Sequence, residues 1–336
     1  MSKAKKKKKS PASKNSAPKP KKQTQPFQSK DFLSLKEATA FDLDTLFKLT
    51  DRMKKAPESF LGKLKGKSIA LLFQKPSTRT RLSFQVGISE LGGSSVYVDP
   101  QESPLGERES LKDVSRVISR YCDAIVVRTY SHTDVEQFAQ NATVPVINGL
   151  SDSYHPCQTL ADLFTIRERF KKLQGLNVAY IGDGNNVLNS LLYGVAKVGA
   201  NISIATPRGY EPNEEIVRDI KNIAKDTGSK IMLSNNPFTA IKNAHAIYTD
   251  VWISMGQEKQ REQRLRDFQP FQVNGAIIGK APKDTIVMHC LPAHRGEEIT
   301  EDVIENPRSV IFDQAENRLH TQKALLYLLL TRKKKK

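Results

Sequence analysis

Cysteine is scarce in this 336-residue chain. Cys122, Cys157 and Cys290 are far apart and form no CxxC pair. An odd, sparse set provides no disulfide framework and suits a reducing compartment. No run approaches the ~20 apolar residues of a membrane span, so no membrane association is expected. Acidic residues and arginine are missing from the first 30 positions, which carry eleven lysines, and the end 332–336 adds five more positive charges. The formal charge of +17 therefore leaves only +1 for residues 31–331. A nearly neutral body excludes reading the basic composition as that of a folded nucleic-acid-binding domain. The start of the chain has neither the apolar core of a secretory signal nor the Arg-rich amphipathic pattern of a transit peptide. A cytoplasmic location is expected. Residues 1–30 hold too little apolar surface to offset ordering entropy and are expected to be disordered. The basic tails read as solubilising extensions, with weak, salt-sensitive polyanion binding as the sharper reading.

What the chain does have is alternation. Apolar runs of strand length (68–73, 96–98, 124–127, 144–147) are separated by helical patterns at 42–55, 79–91, 111–121 and 134–140. The pattern then resumes with new sequence. Helices are expected at 158–170, 187–198 and 213–226, strands at 178–181, 202–205, 231–233, 246–248 and 285–288, and a closing helix at 318–330. Such alternation predicts two doubly wound, parallel-sheet α/β domains with a cleft between them and ligands at the carboxyl ends of the strands. The expected division is 31–150, 151–316, and a C-terminal helix 317–331 that returns to the first domain.

The sharpest motif is Ser77-Thr78-Arg79-Thr80-Arg81, directly after the first apolar strand and at a helix start. Free backbone N–H groups, hydroxyls and guanidinium groups together make an anion cradle suited to phosphate. Taken alone, the run also fits an N-cap with solvated arginines. Arg128 ends another strand, and His155-Pro156-Cys157-Gln158 opens another helix. Arg128 and His155 suit polarisation of a carbonyl oxygen as charge grows on it. Gly182-Asp183-Gly184-Asn185-Asn186-Val187 resembles a dinucleotide fingerprint but has Val187 where the third glycine belongs, so its amides suit a small polar ligand better. Asp250, in Asp250-Val251-Trp252-Ile253-Ser254-Met255-Gly256, suits an ammonium group, with helix capping as the plainer reading. His289-Cys290-Leu291-Pro292 follows a strand. Adjacent His and Cys on extended chain should point opposite ways, a poor metal pair. The sum is a phosphate cradle and a carbonyl-polarising pair facing an amide, a carboxylate and a thiol. That arrangement suggests group transfer from a phosphorylated donor to a cationic acceptor.

Ser77-Thr78-Arg79-Thr80, Arg128, His155-Pro156-Cys157-Gln158, Gly184-Asn185-Asn186, Asp250 through Gly256, His289-Cys290-Leu291-Pro292 and Ala315-Glu316-Asn317-Arg318 occur in the order found in the aspartate/ornithine carbamoyltransferase family. The chain resembles that family over about residues 31–330, and its Asp-x-Trp-x-Ser-Met-Gly and His-Cys-Leu-Pro motifs look like the ornithine branch. The resemblance implies trimers of two-domain subunits. It implies that Ser77, Thr78, Arg79, Thr80, Arg128, His155, Gln158, Cys290, Leu291 and Arg318 contact carbamoyl phosphate, with Arg79, Thr80, Arg128, His155 and Cys290 nearest the reaction. Asn186, Asp250, Ser254 and Met255 would hold L-ornithine. The implied products are L-citrulline and phosphate, with no metal and no organic cofactor. The alternative acceptor is another amine, such as putrescine or an acylated ornithine. One departure stands out. Family members place a polar residue before the pair matching Leu105-Gly106, whereas this chain has Pro104, which lacks a side-chain donor.

Overall fold

The computed structural model describes residues 26–99, 109–254 and 256–332. The expectations placed on residues 1–25, on Pro104 and its neighbours, on Met255 and on 333–336 lie outside the described residues. Within the stretch 1–30 expected to lack order, Phe27 and Lys30 are anchored, while Gln28 and Ser29 are exposed. Phe27 is buried edge-on against Phe32, and the Lys30 ammonium donates to the Ala139 and Ala142 carbonyls at 3.0 and 2.7 Å. One aromatic ring and one tethered lysine supply the burial that the composition of the stretch as a whole obscures.

The first half contains α1 (Ala40–Lys55), β1 (Ser68–Phe73), α2 (Thr78–Glu90), β2 (Ser94–Val98), α3 (Leu111–Tyr121), β3 (Ala124–Arg128), α4 (His132–Asn141) and β4 (Val146–Leu150). α5 (Pro156–Phe170) leads into the second half. There follow β5 (Asn177–Ile181), α6 (Asn186–Lys197), β6 (Asn201–Ala205), α7 (Glu214–Thr227), β7 (Ile231–Ser234), α8 (Pro237–Ile241), β8 (Ala246–Thr249), α9 (Arg261–Phe268), α10 (Gly275–Lys280), β9 (Ile286–His289), α11 (Glu301–Ile304) and α12 (Ile311–Leu330).

Two parallel sheets result, ordered β2-β1-β3-β4 and β7-β6-β5-β8-β9. Parallel strands buried on both faces need near-continuous apolar sequence. β1, β3, β5 and β8 supply it, with almost every side chain buried. Each sheet reverses its winding direction beside its first strand, between β1 and β3 and between β5 and β8, where such folds open a crevice. Phe73 pairs with Arg128 and Ile181 with Thr249, so the chain leaves neighbouring strands side by side at each crevice.

α12 closes the molecule, packing on α1, α2 and α5. It starts at Ile311, seven residues before the expected start, because its first turns bury Gln314 and Asn317 and so break the apolar stripe. These polar groups are matched across the α5–α12 interface. Arg318 donates to Gln158 at 2.7 Å, Gln314 to Asp162 at 2.6 Å, and Asn317 to Thr165 and Glu168 at 2.9 Å each. Among the described residues, no helix is long and apolar enough to cross a membrane.

Candidate active site

Each element carries its functional groups to a strand or helix end. Ser77 is the N-cap of α2, its Oγ accepting from the Thr80 amide at 3.3 Å, so the Ser77–Thr80 turn presents amides and hydroxyls beside the end of β1. Arg128 closes β3 next door. Its Nε donates to the Lys75 carbonyl at 3.2 Å, which fixes the guanidinium between the two strand ends. Arg318 reaches in from α12, donating to Thr80 Oγ1 at 2.9 Å as well as to Gln158. His155 is the residue before α5, and its amide donates to Ser190 Oγ at 2.8 Å. Ser77, Thr78, Arg79, Thr80, Arg128, His155 and Arg318 line one side of a cleft of about 810 Å³.

Asn186, Asp250, Ser254, Cys290 and Leu291 line the other side. Asn185 caps α6 and also donates to Asp250 Oδ2 at 2.7 Å, while the Cys290 thiol donates to Asp250 Oδ1 at 3.0 Å. Both donors are neutral, so the buried carboxylate is oriented without being neutralised. Asn186 donates to the Ser151 carbonyl at 2.6 Å. Leu291 takes a left-handed backbone (φ 58°), and its amide donates to His289 Nδ1 at 2.8 Å. One expected contact differs in kind. Gln158 is buried behind the cleft wall, held between Arg318 and Asp162, while the expectation on Met255 lies outside the described residues.

The electrostatics of the two sides follow from these partners. Burial, together with repulsion by Arg318 and Arg79, pushes the Arg128 guanidinium down to about 10. Arg318 is also lowered, chiefly by burial. His155 is held well below the usual imidazole range by burial and by the same arginines, and its Nδ1 has no partner among the described residues. Cations placed this way await an anion. Across the cleft, burial and the neighbouring Asp250 push the Cys290 thiol well above its ordinary value, so it stays protonated and acts as a donor.

The chain matches the carbamoyl-P binding domain of the aspartate/ornithine carbamoyltransferases over residues 30–168 and their Asp/Orn binding domain over 174–329. It belongs to the aspartate/ornithine carbamoyltransferase family. The ornithine carbamoyltransferase of Thermococcus kodakarensis is 50% identical over 305 residues, spanning 90% of this chain and 96% of that protein. The anabolic ornithine carbamoyltransferase of Pyrococcus furiosus is likewise 50% identical over 305 residues, with the same coverage. The solved P. furiosus structure superposes with a TM-score of 0.88 at 49% identity, covering 90% of this chain and 98% of that one.

In this carbamoyltransferase the structure corrects one local expectation. His289 and Cys290 do not part, since their ligand atoms and a carboxylate oxygen of Asp250 lie within 4.8 Å of one another. Both His289 nitrogens are engaged, however, Nδ1 by the Leu291 amide and Nε2 by Glu298 at 3.1 Å. The second glycine of the Gly182–Val187 run is explained by packing. A Cβ on Gly184 would sit 2.4 Å from the Glu211 carbonyl oxygen. Among the cleft residues that escaped the sequence reading are Lys75, Asp183 and Arg264. Lys75 lies over the Tyr130 ring at 4.5 Å and is lowered by burial. Its signal was its place two residues ahead of the cradle. Asp183 and Arg264 form a buried ion pair at 2.8 Å, and Arg264 also donates to the Trp252 carbonyl at 2.8 Å. Eighty-one residues separate them, and no local pattern announces the pair.

Proposed function

We propose that the protein transfers the carbamoyl group of carbamoyl phosphate to the side-chain amine of L-ornithine, giving L-citrulline and phosphate, in a homotrimer of the cytoplasm. The observation that carries this reading is a single cleft with an unneutralised cationic wall facing a carboxylate held by neutral donors, in a chain of this family. The Ser77–Thr80 turn with Arg79 and Arg318 holds the phosphate by charge-assisted hydrogen bonds. The carbamoyl oxygen lies toward Thr80, Arg128 and His155. His155 is neutral at pH 7, which leaves it one ring N–H to donate and adds no further charge beside two arginines.

On the facing wall Asp250 takes the α-ammonium of ornithine, aided by Asn186, Ser254 and Met255, and Cys290 and Leu291 border the attacking amine. The amine, once deprotonated, attacks the carbonyl carbon. The tetrahedral oxyanion is stabilised by groups already oriented before reaction, and the C–O bond to phosphate breaks as the leaving phosphate takes up the proton shed by the amine and departs as hydrogenphosphate dianion into the arginine pocket. The donor arrives activated, so this path uses no metal or organic cofactor. The test is citrulline formation by the purified full chain from carbamoyl phosphate and ornithine, with putrescine in parallel. A kcat/KM for putrescine equal to that for ornithine would overturn the assignment of Asp250.

A further inference from the structure

α5 and α12 pack through a set of buried polar residues, and Asp162 stands where two of their hydrogen bonds meet. Its Oδ1 accepts from two side-chain amides, Gln158 Nε2 at 2.9 Å and Gln314 Nε2 at 2.6 Å. A primary amide has one donor end and one acceptor end, so fixing the NH2 group fixes where the oxygen points. Gln158 thereby turns its oxygen to the Arg318 guanidinium at 2.7 Å. Gln314 turns its oxygen to the backbone N–H of His289 at 2.9 Å, at the end of β9 and one residue before Cys290. All three side chains are fully or almost fully buried, and Arg318 is 5% exposed. Asp162 lies outside the lining of the cleft, on the helix that His155 precedes, yet one of its oxygens sets a group on each wall.

We infer that Asp162 is a positioning residue that locks the two glutamine amides and so holds Arg318 of the phosphate pocket and the Cys290 segment of the acceptor pocket in register. The inference rests on the proposed function for the identity of the two substrates. Flipping either amide would place an NH2 group against Arg318 or against the His289 N–H. Donor would then face donor in a buried site, an arrangement that costs the desolvation of both groups. Asp162 excludes the flips because Oδ1 is the acceptor for both amides, in the carboxylate and equally in the acid that carries its proton on Oδ2.

The experiment uses the full chain with Asp162→Ala, Asp162→Asn and Gln314→Met. Asp162→Ala is expected to raise KM for both carbamoyl phosphate and ornithine by about tenfold or more, as expected when a buried hydrogen-bond network loses its hub. Asp162→Asn keeps an oxygen for both amides and can direct its own NH2 to the hydroxyl oxygen of Tyr248, which stands against Asp162, so it is expected to restore both KM values to within about threefold. Gln314→Met cuts only the β9 arm. It is expected to raise KM for ornithine while KM for carbamoyl phosphate stays within about twofold. A variant Asp162→Asn as impaired as Asp162→Ala would overturn the inference, as would equal KM changes for the two substrates in Gln314→Met. Binding of inorganic phosphate by calorimetry reads the Arg318 arm without turnover. A wild type inactive on ornithine would therefore sink the proposed function while the phosphate affinities of the three variants still decided the positioning role.

Discussion

The two walls of the cleft solve opposite electrostatic problems. On the first wall Arg79, Arg128 and Arg318 gather with no carboxylate ion-paired to any of them among the described residues, and burial holds Arg128 and Arg318 below their ordinary values. On the second wall every charge is already managed. Asp183 is paired with Arg264, and Asp250 is held by Asn185 and Cys290. A wall with two unmatched buried cations, Arg128 and Arg318, beside the exposed Arg79 stores an unfavourable energy that a doubly charged ligand relieves on binding. A wall of oriented neutral donors around one carboxylate is complete without its ligand and selects a cation by position. The contrast teaches that affinity for the leaving group and specificity for the acceptor are built from different materials.

Substitutions can break either half of that contrast. The largest effect is expected from Arg128→Leu, which removes the cation we propose to stabilise the oxyanion. A loss in kcat of about 10³-fold is expected in the citrulline assay, and a loss under tenfold would show that the cationic wall does not stabilise the transition state. Arg264→Met leaves Asp183 buried and unpaired, and is expected to destabilise the protein by about 3–5 kcal/mol, measured by denaturant unfolding. Asp250→Asn keeps the shape of the second wall and removes its charge. It should lower kcat/KM for ornithine by about 100-fold, in the range expected for an unpaired buried ammonium, while KM for carbamoyl phosphate hardly moves. A parallel rise in both KM values would erase the distinction between the walls.

A smaller, pH-dependent effect comes from Asp162, between the walls, whose carboxyl is pushed up to about 7 by burial. In the unfolded chain the group titrates near 3.8. Between those values the folded protein keeps a proton that the unfolded chain has released, so stability falls as pH rises from about 4 through about 7. His155 works in the other direction. It is held neutral in the fold, so stability falls as pH drops below 6.5. Asp162→Asn removes only the first slope. The melting temperature of that variant minus that of wild type should therefore increase from pH 5 to pH 8, and a difference constant across that range would contradict the burial of a titrating acid. The smallest effect is expected from Ser77→Ala, a lost N-cap costing about 1 kcal/mol, read in thermal unfolding.

The cradle, Arg128, Asp250 and Cys290 were legible because Arg128 ends a short apolar strand, Asp250 and Cys290 stand one residue beyond one, and the cradle begins four residues beyond one, and strand ends converge in a doubly wound fold. The short helices α8, α9, α10 and α11 were not, since four to eight residues hold too little of the 3.6-residue period to show. β4 runs to Leu150, beyond the apolar stretch that announces it, because Asn148 and Gly149 continue it in the core with the Asn148 amide donating to the Leu33 carbonyl. The start of α12 was hidden for the same reason, its buried face being made of Gln314 and Asn317 rather than leucine.

Local order in this protein is therefore written in the chain itself. Periodic apolar side chains choose strand or helix, and hydroxyl or amide caps mark where helices begin, because those preferences act over a few neighbouring residues. Partnership across long separations is another matter. That Asp183 meets Arg264, that Gln158 turns away from the cleft to serve Arg318, and that one oxygen of Asp162 serves two amides were decided only when the two sheets and α12 came together. A buried polar group takes whichever partner the packing brings within 3 Å, and no local pattern encodes that partner.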